Sequence, residues 1–136
     1  FYGPPSKVLF DAVHGPIELD ERIISIVDTL EFQRLRDLKQ LGTSYLVFPG
    51  ASHNRFEHSL GVYHLAKSQL ARFRAAQPEL EVSEAEMEAM GIGAACHDLG
   101  HGPFSHVFDG EFLPRASPGT SWSHEDMSIE MLQFLV

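Results

Sequence analysis

A single cysteine, Cys96, in 136 residues leaves no partner for an internal disulfide and excludes a multi-cysteine zinc site. Cationic side chains are scarce as well. Ten Lys and Arg stand against nineteen Asp and Glu, a net charge of −9 that argues against broad, non-specific binding to nucleic acid. Long hydrophobic runs are missing too: the longest stretch without a polar side chain, Met90 to Cys96, falls far short of a membrane span. No internal repeat, low-complexity tract or linker interrupts the chain, whose length fits one domain. The chain opens at Phe1 rather than Met with no leader-like run, so it reads as lacking its native N-terminus. The lone cysteine fits a reducing compartment, and an intracellular setting, nuclear or cytoplasmic, is expected. What the chain has in excess is histidine, eight in all.

The charge is unevenly placed. Residues 1–74 hold nine of the ten basic side chains against eight acids, whereas residues 75–136 hold one against eleven. Cationic contacts to an anionic ligand must therefore come mostly from the first half. The second half offers carboxylates and histidines, which suit a cation.

The periodicity predicts a mostly helical chain with little strand. The Gly/Pro-rich opening, Phe1 to Pro5, reads as irregular; Lys7 to Phe10 reads as a short strand before a His14-Gly15-Pro16 turn. Ile23, Val27 and Leu30 recur at helical spacing. A second helix, capped by Asp28 or Thr29, is expected to carry Phe32, Leu35 and Leu38 inward and to stop at Gly42. Tyr45 to Phe48 is β-prone. A long, substantially buried helix is predicted from Asn54 to Arg74, with Phe56, Leu60, Tyr63 and Leu70 on one stripe and Val62, Leu65, Ala66 and Phe73 widening it. Ser83-x-x-Glu86 is a capping box opening a helix that runs to His97-Asp98 and ends at Gly100; the glutamates around it suit a solvated helix start. Pro103 is expected to begin a short helix reaching Phe108, followed by a loop through Pro114, Pro118 and Gly119. A last amphipathic helix is expected from Ser123 to Val136, its Leu132, Phe134 and Leu135 in need of a partner.

The chemistry concentrates where a small-residue, apolar helix delivers His97 and Asp98 beside a glycine-rich turn. Two polar side chains after a buried run are costly unless something satisfies them. One reading has Asp98 bonding local backbone and His97 as a satisfied core histidine. The other adds His58, early in the buried helix, to make a two-histidine, one-carboxylate set suited to several first-row metals.

His58 followed by His97-Asp98 resembles the H…HD…D signature of the HD-domain metal-dependent phosphohydrolases. The runs FPGASHNRFEHSLGV (Phe48 to Val62) and CHDLGHGPFSHVF (Cys96 to Phe108) resemble one branch closely, the SAM-and-HD-domain deoxynucleoside triphosphate triphosphohydrolases. The resemblance implies an all-α HD fold with at most short strands near the N-terminus. It implies hydrolysis of a dNTP at the α-phosphorus to a deoxynucleoside and inorganic triphosphate, activation by GTP or dGTP, and assembly into a homo-oligomer, a tetramer in the family manner. His58, His97 and Asp98 would be ligands of a divalent metal (Fe, Zn, Mn or Mg), with Mg accompanying the nucleotide. The family's last ligand is a further aspartate downstream. Neither Asp109 nor Asp126 lies in a matching motif, so residues 1–136 read as the N-terminal portion of an incomplete HD domain.

Residue by residue, the resemblance gives Arg55 a contact near the α-phosphate. It places His101, His106, Asp109 and His124 among the catalytic residues, His101 and His106 also touching substrate. Gln40 and Leu41 match the pair that reads the sugar. Gln33, Arg36 and Gln40 share a polar face at helical spacing, which a solvated helix explains equally well. Asp28, Gln33 and Arg36 match the guanine-reading residues of the activating site, with Lys7 and Val8 supplying phosphate and backbone contacts and Val47 and Phe48 in a neighbouring segment. Phe10 stands where the family usually has Asn, and Ala12 where Pro is common. His53 reads as a support of its turn and His64 as a partly exposed helix residue. Two other readings are an HD phosphohydrolase acting on another nucleotide and a non-catalytic nucleotide-sensing module.

Overall fold

The computed structural model describes residues 7–135, and the opening segment expected to be irregular lies outside them. Strands β1 (Lys7–Asp11) and β2 (Gly15–Leu19) pair antiparallel, with Lys7 opposite Leu19. The hairpin turns because the Asp11 carboxylate accepts both the Val13 and His14 N–H groups, each at 2.8 Å, and Gly15 takes a positive φ of 73°. β2 was not anticipated; its alternation buries Ile17 and Leu19 and leaves Pro16 and Glu18 outside.

Asp20 caps α1 (Glu21–Val27), its carboxylate accepting the Ile23 N–H at 3.1 Å. Thr29, not Asp28, caps α2 (Leu30–Gln33), so Leu30 opens a new helix and is exposed rather than continuing the α1 stripe. The second helix is also shorter than expected. It tightens to 3₁₀ over Arg34–Asp37, and Leu38 is extended. The reason is tertiary: residues 38–40 pair with the segment before α3, the Leu38 carbonyl accepting Arg55 N–H at 2.8 Å and the His53 carbonyl accepting Gln40 N–H at 3.1 Å. Residues Ser44–Leu46 form a 3₁₀ turn instead of the β-prone run, since among the described residues no strand pairs with them.

Helix α3 (Arg55–Ala76) and helix α4 (Glu84–Cys96) form as the sequence predicts. Glu57 accepts the Asn54 N–H at 2.7 Å, and the Ser83–Glu86 capping box is closed in both directions. Only the first half of α3 is buried, through Phe56, Ser59, Leu60 and Tyr63. Leu65 and Phe73 face solvent and Val62, Ala66 and Leu70 are half-buried; the last turn meets the start of α4 through Arg74, which reaches Glu84 and Met87, yet every residue from Ala71 to Ala76 stays exposed. Gly91 lets α4 approach: a Cβ there would sit 3.1 Å from the Tyr63 ring.

After α4 the chain departs most from expectation. Residues 103–105 are not helical, and Phe104 and Ser105 have φ of 64° and 55°. The chain folds back so that the Phe108 ring lies where a Cβ on Gly102 would be, 2.4 Å away. A wide helical turn over Phe108–Phe112 runs into the short α5 (Leu113–Ala116), so Pro114 is helical rather than in a loop. The last helix, α6 (His124–Leu135), has Leu132 and Leu135 half-buried and Phe134 exposed. The core gathers β2, α1, α2, α3 and the end of α4, with Phe32, Leu35 and Leu99 fully buried. Among the described residues the structure is mostly helical, as expected, and its one sheet has two short strands near the N-terminus. No helix among the described residues is long and apolar enough to cross a membrane.

Candidate metal centre and histidine cluster

The end of α4 and the start of α3 bring His58, His97 and Asp98 together, one donor atom from each lying within 4.8 Å of the others. His97 donates from Nδ1 to the Ala94 carbonyl at 2.8 Å, which turns its Nε2 lone pair toward His58 Nε2, 3.3 Å away. Asp98 Oδ2 lies 3.5 Å from His58 Nε2, and Oδ1 lies 3.4 Å from His97 Nε2. These spacings are long for hydrogen bonds. Three electron-donating atoms thus converge with few hydrogens between them, an arrangement that a cation satisfies. Burial holds His58 below the usual imidazole pKa; the Asp98 charge opposes this, while His97, Arg55 and His53 reinforce it. A neutral His58 is the form that ligates.

Asp98 is 5% exposed and its ion-pair partner is Arg55, itself 3% exposed. The same guanidinium donates to Ser105 Oγ at 2.8 Å. Ser105 Oγ in turn lies 2.5 Å from the Gln40 carbonyl, so the left-handed turn at Phe104-Ser105 is stabilised by what it touches. Arg55 is therefore spent on protein partners rather than open to solvent. Sequence reasoning marked Ser105 only as part of a motif; its left-handed backbone gave no local signal.

Four further expected residues form a second group: His101, His106, Asp109 and His124. His124 Nδ1 and Asp109 Oδ2 are 2.9 Å apart, and the His101 ring stacks on His124 at 3.8 Å between centroids. Burial would raise the Asp109 carboxyl, but the His124 hydrogen bond, its own backbone N–H and the neighbouring histidines outweigh it and hold it below the usual range. His101, 1% exposed, is pushed down to about 4 by burial, with the Arg55 and His124 charges adding and Asp98 opposing. The two groups adjoin: His101 Nε2 is 3.5 Å from Asp98 Oδ1. His106 is exposed at the edge, its Nδ1 3.7 Å from Asp109. A cleft of about 430 Å³ lies between the hairpin and α3, lined by His14, Gln40, His53, Glu57 and His58 among others. Gln40 also lines a cleft of about 360 Å³ with Leu41, Ser105 and His106. His64 is half-buried, its ring 5.3 Å from His14.

These contacts coincide with a match of residues 55–133 to the HD domain family. The chain belongs to the HD-domain family. An HD domain implies a divalent metal, and the donor set of His58, His97 and Asp98 fits one. The chain is 57% identical over 130 residues to the deoxynucleoside triphosphate triphosphohydrolase SAMHD1 of Mus musculus, covering 96% of this chain and 20% of that protein. It is 50% identical to the SAMHD1 homolog of Dictyostelium discoideum over 131 residues, 96% of this chain and 25% of the relative. A putative HD domain-containing protein of Acanthamoeba polyphaga mimivirus is 42% identical over 79% of this chain and 26% of its own. The chain thus spans about a fifth to a quarter of the length of these relatives.

The residues expected to read an activator lie on another face. Lys7 pairs with Asp28. Gln33 Nε2 donates to the Val27 carbonyl at 2.7 Å, and its Oε1 accepts Arg36 Nε at 2.7 Å. The Arg36 guanidinium lies 3.5 Å over the Phe56 ring. Val8, Val47 and Phe48 are exposed.

Proposed function

We propose that the protein is a dNTP triphosphohydrolase that releases a deoxynucleoside and inorganic triphosphate. The observation that carries this reading is the adjacency of a metal-donor trio to a His–Asp pair, His124–Asp109, through the 3.5 Å contact of His101 with Asp98. The name of the mouse relative supplies the substrate class. A divalent cation held by His58, His97 and Asp98 would polarise an α-phosphoryl oxygen. The chain's own residues do the rest. Asp109 accepts the His124 Nδ1–H and orients the ring, so that with a second proton on Nε2 His124 is the acid that protonates the 5′ oxygen as water attacks the α-phosphorus and the P–O5′ bond breaks. His106, at the exposed edge, borders that position and binds the phosphates; His101, expected from the resemblance to touch substrate, is instead buried and backs the His124 ring. Arg55 holds Asp98 in place, so its part in phosphate binding is through the turn it braces. Gln40 and Leu41, between two clefts, read the sugar.

The proposal includes a guanine-nucleotide activator. Asp28 offers an acceptor for guanine donors and Arg36 a planar donor fork for its acceptor edge, with Gln33 between them; Lys7, paired with Asp28 here, would turn from that carboxylate to a phosphate. Val8 on β1 and Val47 and Phe48 beyond α2 are exposed and belong to the same proposal, as does assembly into a tetramer.

The test is to incubate the full-length protein with Mg²⁺, GTP and each dNTP and to assay inorganic triphosphate. Triphosphate release that depends on GTP supports the proposal. Pyrophosphate or single phosphate would overturn it in favour of another HD phosphohydrolase, and binding without product would favour a nucleotide sensor. Replacing His97 and Asp98 together with Ala is expected to abolish turnover.

A further inference from the structure

Arg34 donates from Nη1 to the His101 carbonyl at 2.9 Å and from Nη2 to the Leu99 carbonyl at 2.6 Å. It comes from the 3₁₀ turn after α2, more than sixty residues away in sequence. Its neighbours Gln33 and Arg36 bond to each other, and Arg36 lies over Phe56. Among the described residues Arg34 forms no ion pair, although it is half-buried. A half-buried guanidinium given entirely to two main-chain carbonyls either side of Gly100 is an uncommon use of a charge. Its effect is to set the path of the turn between Asp98 and Gly102.

The opposite side of that turn is held by α6. Ser128 Oγ accepts the Gly100 N–H at 2.8 Å and lies 2.8 Å from the His124 carbonyl and 3.0 Å from that of His97. A Cβ on Gly100 would be 2.4 Å from Ser128 N, so the turn and α6 are in backbone contact. Between these two supports sits the His101 ring. Both its nitrogens are buried and without a hydrogen-bond partner among the described residues, and it stacks on His124 at 16° between planes. A ring with no hydrogen bond of its own takes its position from its backbone and its stacking neighbour.

We propose that Arg34 is a positioning residue: by holding the Leu99 and His101 carbonyls it fixes the His101 ring against His124 and sets the spacing between the metal-donor trio and the His124–Asp109 pair. The kinetic consequence rests on the hydrolase reading; the effect on His101 does not. The fork geometry matters, because a lysine ammonium is a single point charge and cannot span both carbonyls in the same way.

The experiment compares full-length wild type with Arg34→Met and Arg34→Lys in three measurements: dNTP kinetics, bound Mn²⁺ per chain, and the rate at which diethyl pyrocarbonate modifies His101, followed by mass spectrometry. In Arg34→Met, kcat is expected to fall about 10- to 100-fold, the scale of a small misplacement of a reacting group. KM should stay within about twofold and bound Mn²⁺ should be unchanged, the pattern of a lost transition-state interaction. His101, shielded in wild type, should become reactive. Arg34→Lys is expected to recover thermal stability but neither kcat nor His101 shielding. Full recovery of kcat and shielding by Arg34→Lys would overturn the proposal, as would a folded Arg34→Met in which His101 stays shielded. If wild type releases no triphosphate, the hydrolase reading falls, and His101 shielding still decides the role of Arg34. If Arg34→Met does not fold, Arg34→Lys alone decides it.

Discussion

Replacing Arg55 with Met tests the electrostatics of the centre directly. Arg55 and Asp98 are 3% and 5% exposed, and the guanidinium is the only Lys or Arg paired with Asp98 among the described residues. Methionine fills much of the same volume, so packing changes little. What is lost is the countercharge, together with the hydrogen bond to Ser105 Oγ. Removing one partner of a buried pair costs about 3–5 kcal/mol, because the other charge stays buried and uncompensated. For a protein of this size that corresponds to a fall in Tm of roughly 10–15 °C in the presence of a chelator. Adding Mn²⁺ supplies a second cation to the same carboxylate. The metal-induced rise in Tm is therefore expected to be larger in Arg55→Met than in wild type, by scanning fluorimetry with and without EDTA. A variant that melts within about 2 °C of wild type in EDTA would show that the pair carries little of the stability attributed to it. A metal-induced rise no larger than that of wild type would refute the idea that the cation and Arg55 share Asp98.

Gly100→Ala should be more damaging than its size suggests: the new Cβ meets Ser128 N at 2.4 Å and the His124 carbonyl at 2.5 Å, both backbone. A cost of about 3 kcal/mol is expected by denaturant unfolding, the upper end for overpacking, and a well-folded variant of wild-type stability would contradict the contact. Phe32→Ala removes a fully buried ring that meets Phe56 edge-on at 5.7 Å between centroids. It should lose about 3–5 kcal/mol in the same assay. Asp20 gives a pH signature. Burial alone would raise its carboxyl, but the Ile23 N–H, Lys67 and Tyr63 outweigh this and hold it below the ordinary value of 3.8. The unfolded chain then takes up the proton first, so the stabilisation is complete above that value and is lost as pH falls through the folded pKa. Asp20→Asn, which keeps a capping side chain, is expected to cost under about 1 kcal/mol at pH 7. It should flatten the acid limb of stability below about pH 5, and an unaltered limb would remove Asp20 as its source.

Much of this molecule is written in local signals. The Ser83–Glu86 box, the Asn54 start and the apolar repeats of α3 and α4 act within a few residues of themselves, so the two helices that carry His58 and His97-Asp98 could be read directly. The convergence of histidines and carboxylates was legible as motif as well. Where the reading missed, a distant partner had decided. The α2 helix gives way at Leu38 because residues 38–40 pair with residues 53–55, a contact that no helical periodicity records. The turn at Phe104-Ser105 is left-handed because Ser105 bridges Arg55 and Gln40, whereas Pro103 alone pointed to a helix. In the widening stripe of α3, Leu65 and Phe73 are apolar without being covered, since periodicity shows which residues share a face but not what lies against it.

The same division holds at the site. Residue type and spacing singled out His58, His97 and Asp98, because ligation demands those side chains, whereas Asp109 and His124 were picked out only by the family resemblance of the motifs around them. Which atoms face one another was settled only by packing. The Ala94 carbonyl chooses the His97 tautomer, Asp109 chooses that of His124, and Arg34 and Ser128, neither of which stands out in the sequence, close on the turn between them. Sequence chose the chemistry because it is a property of side chains, and tertiary structure chose the geometry because hydrogen bonds between distant segments exist only once the chain has folded.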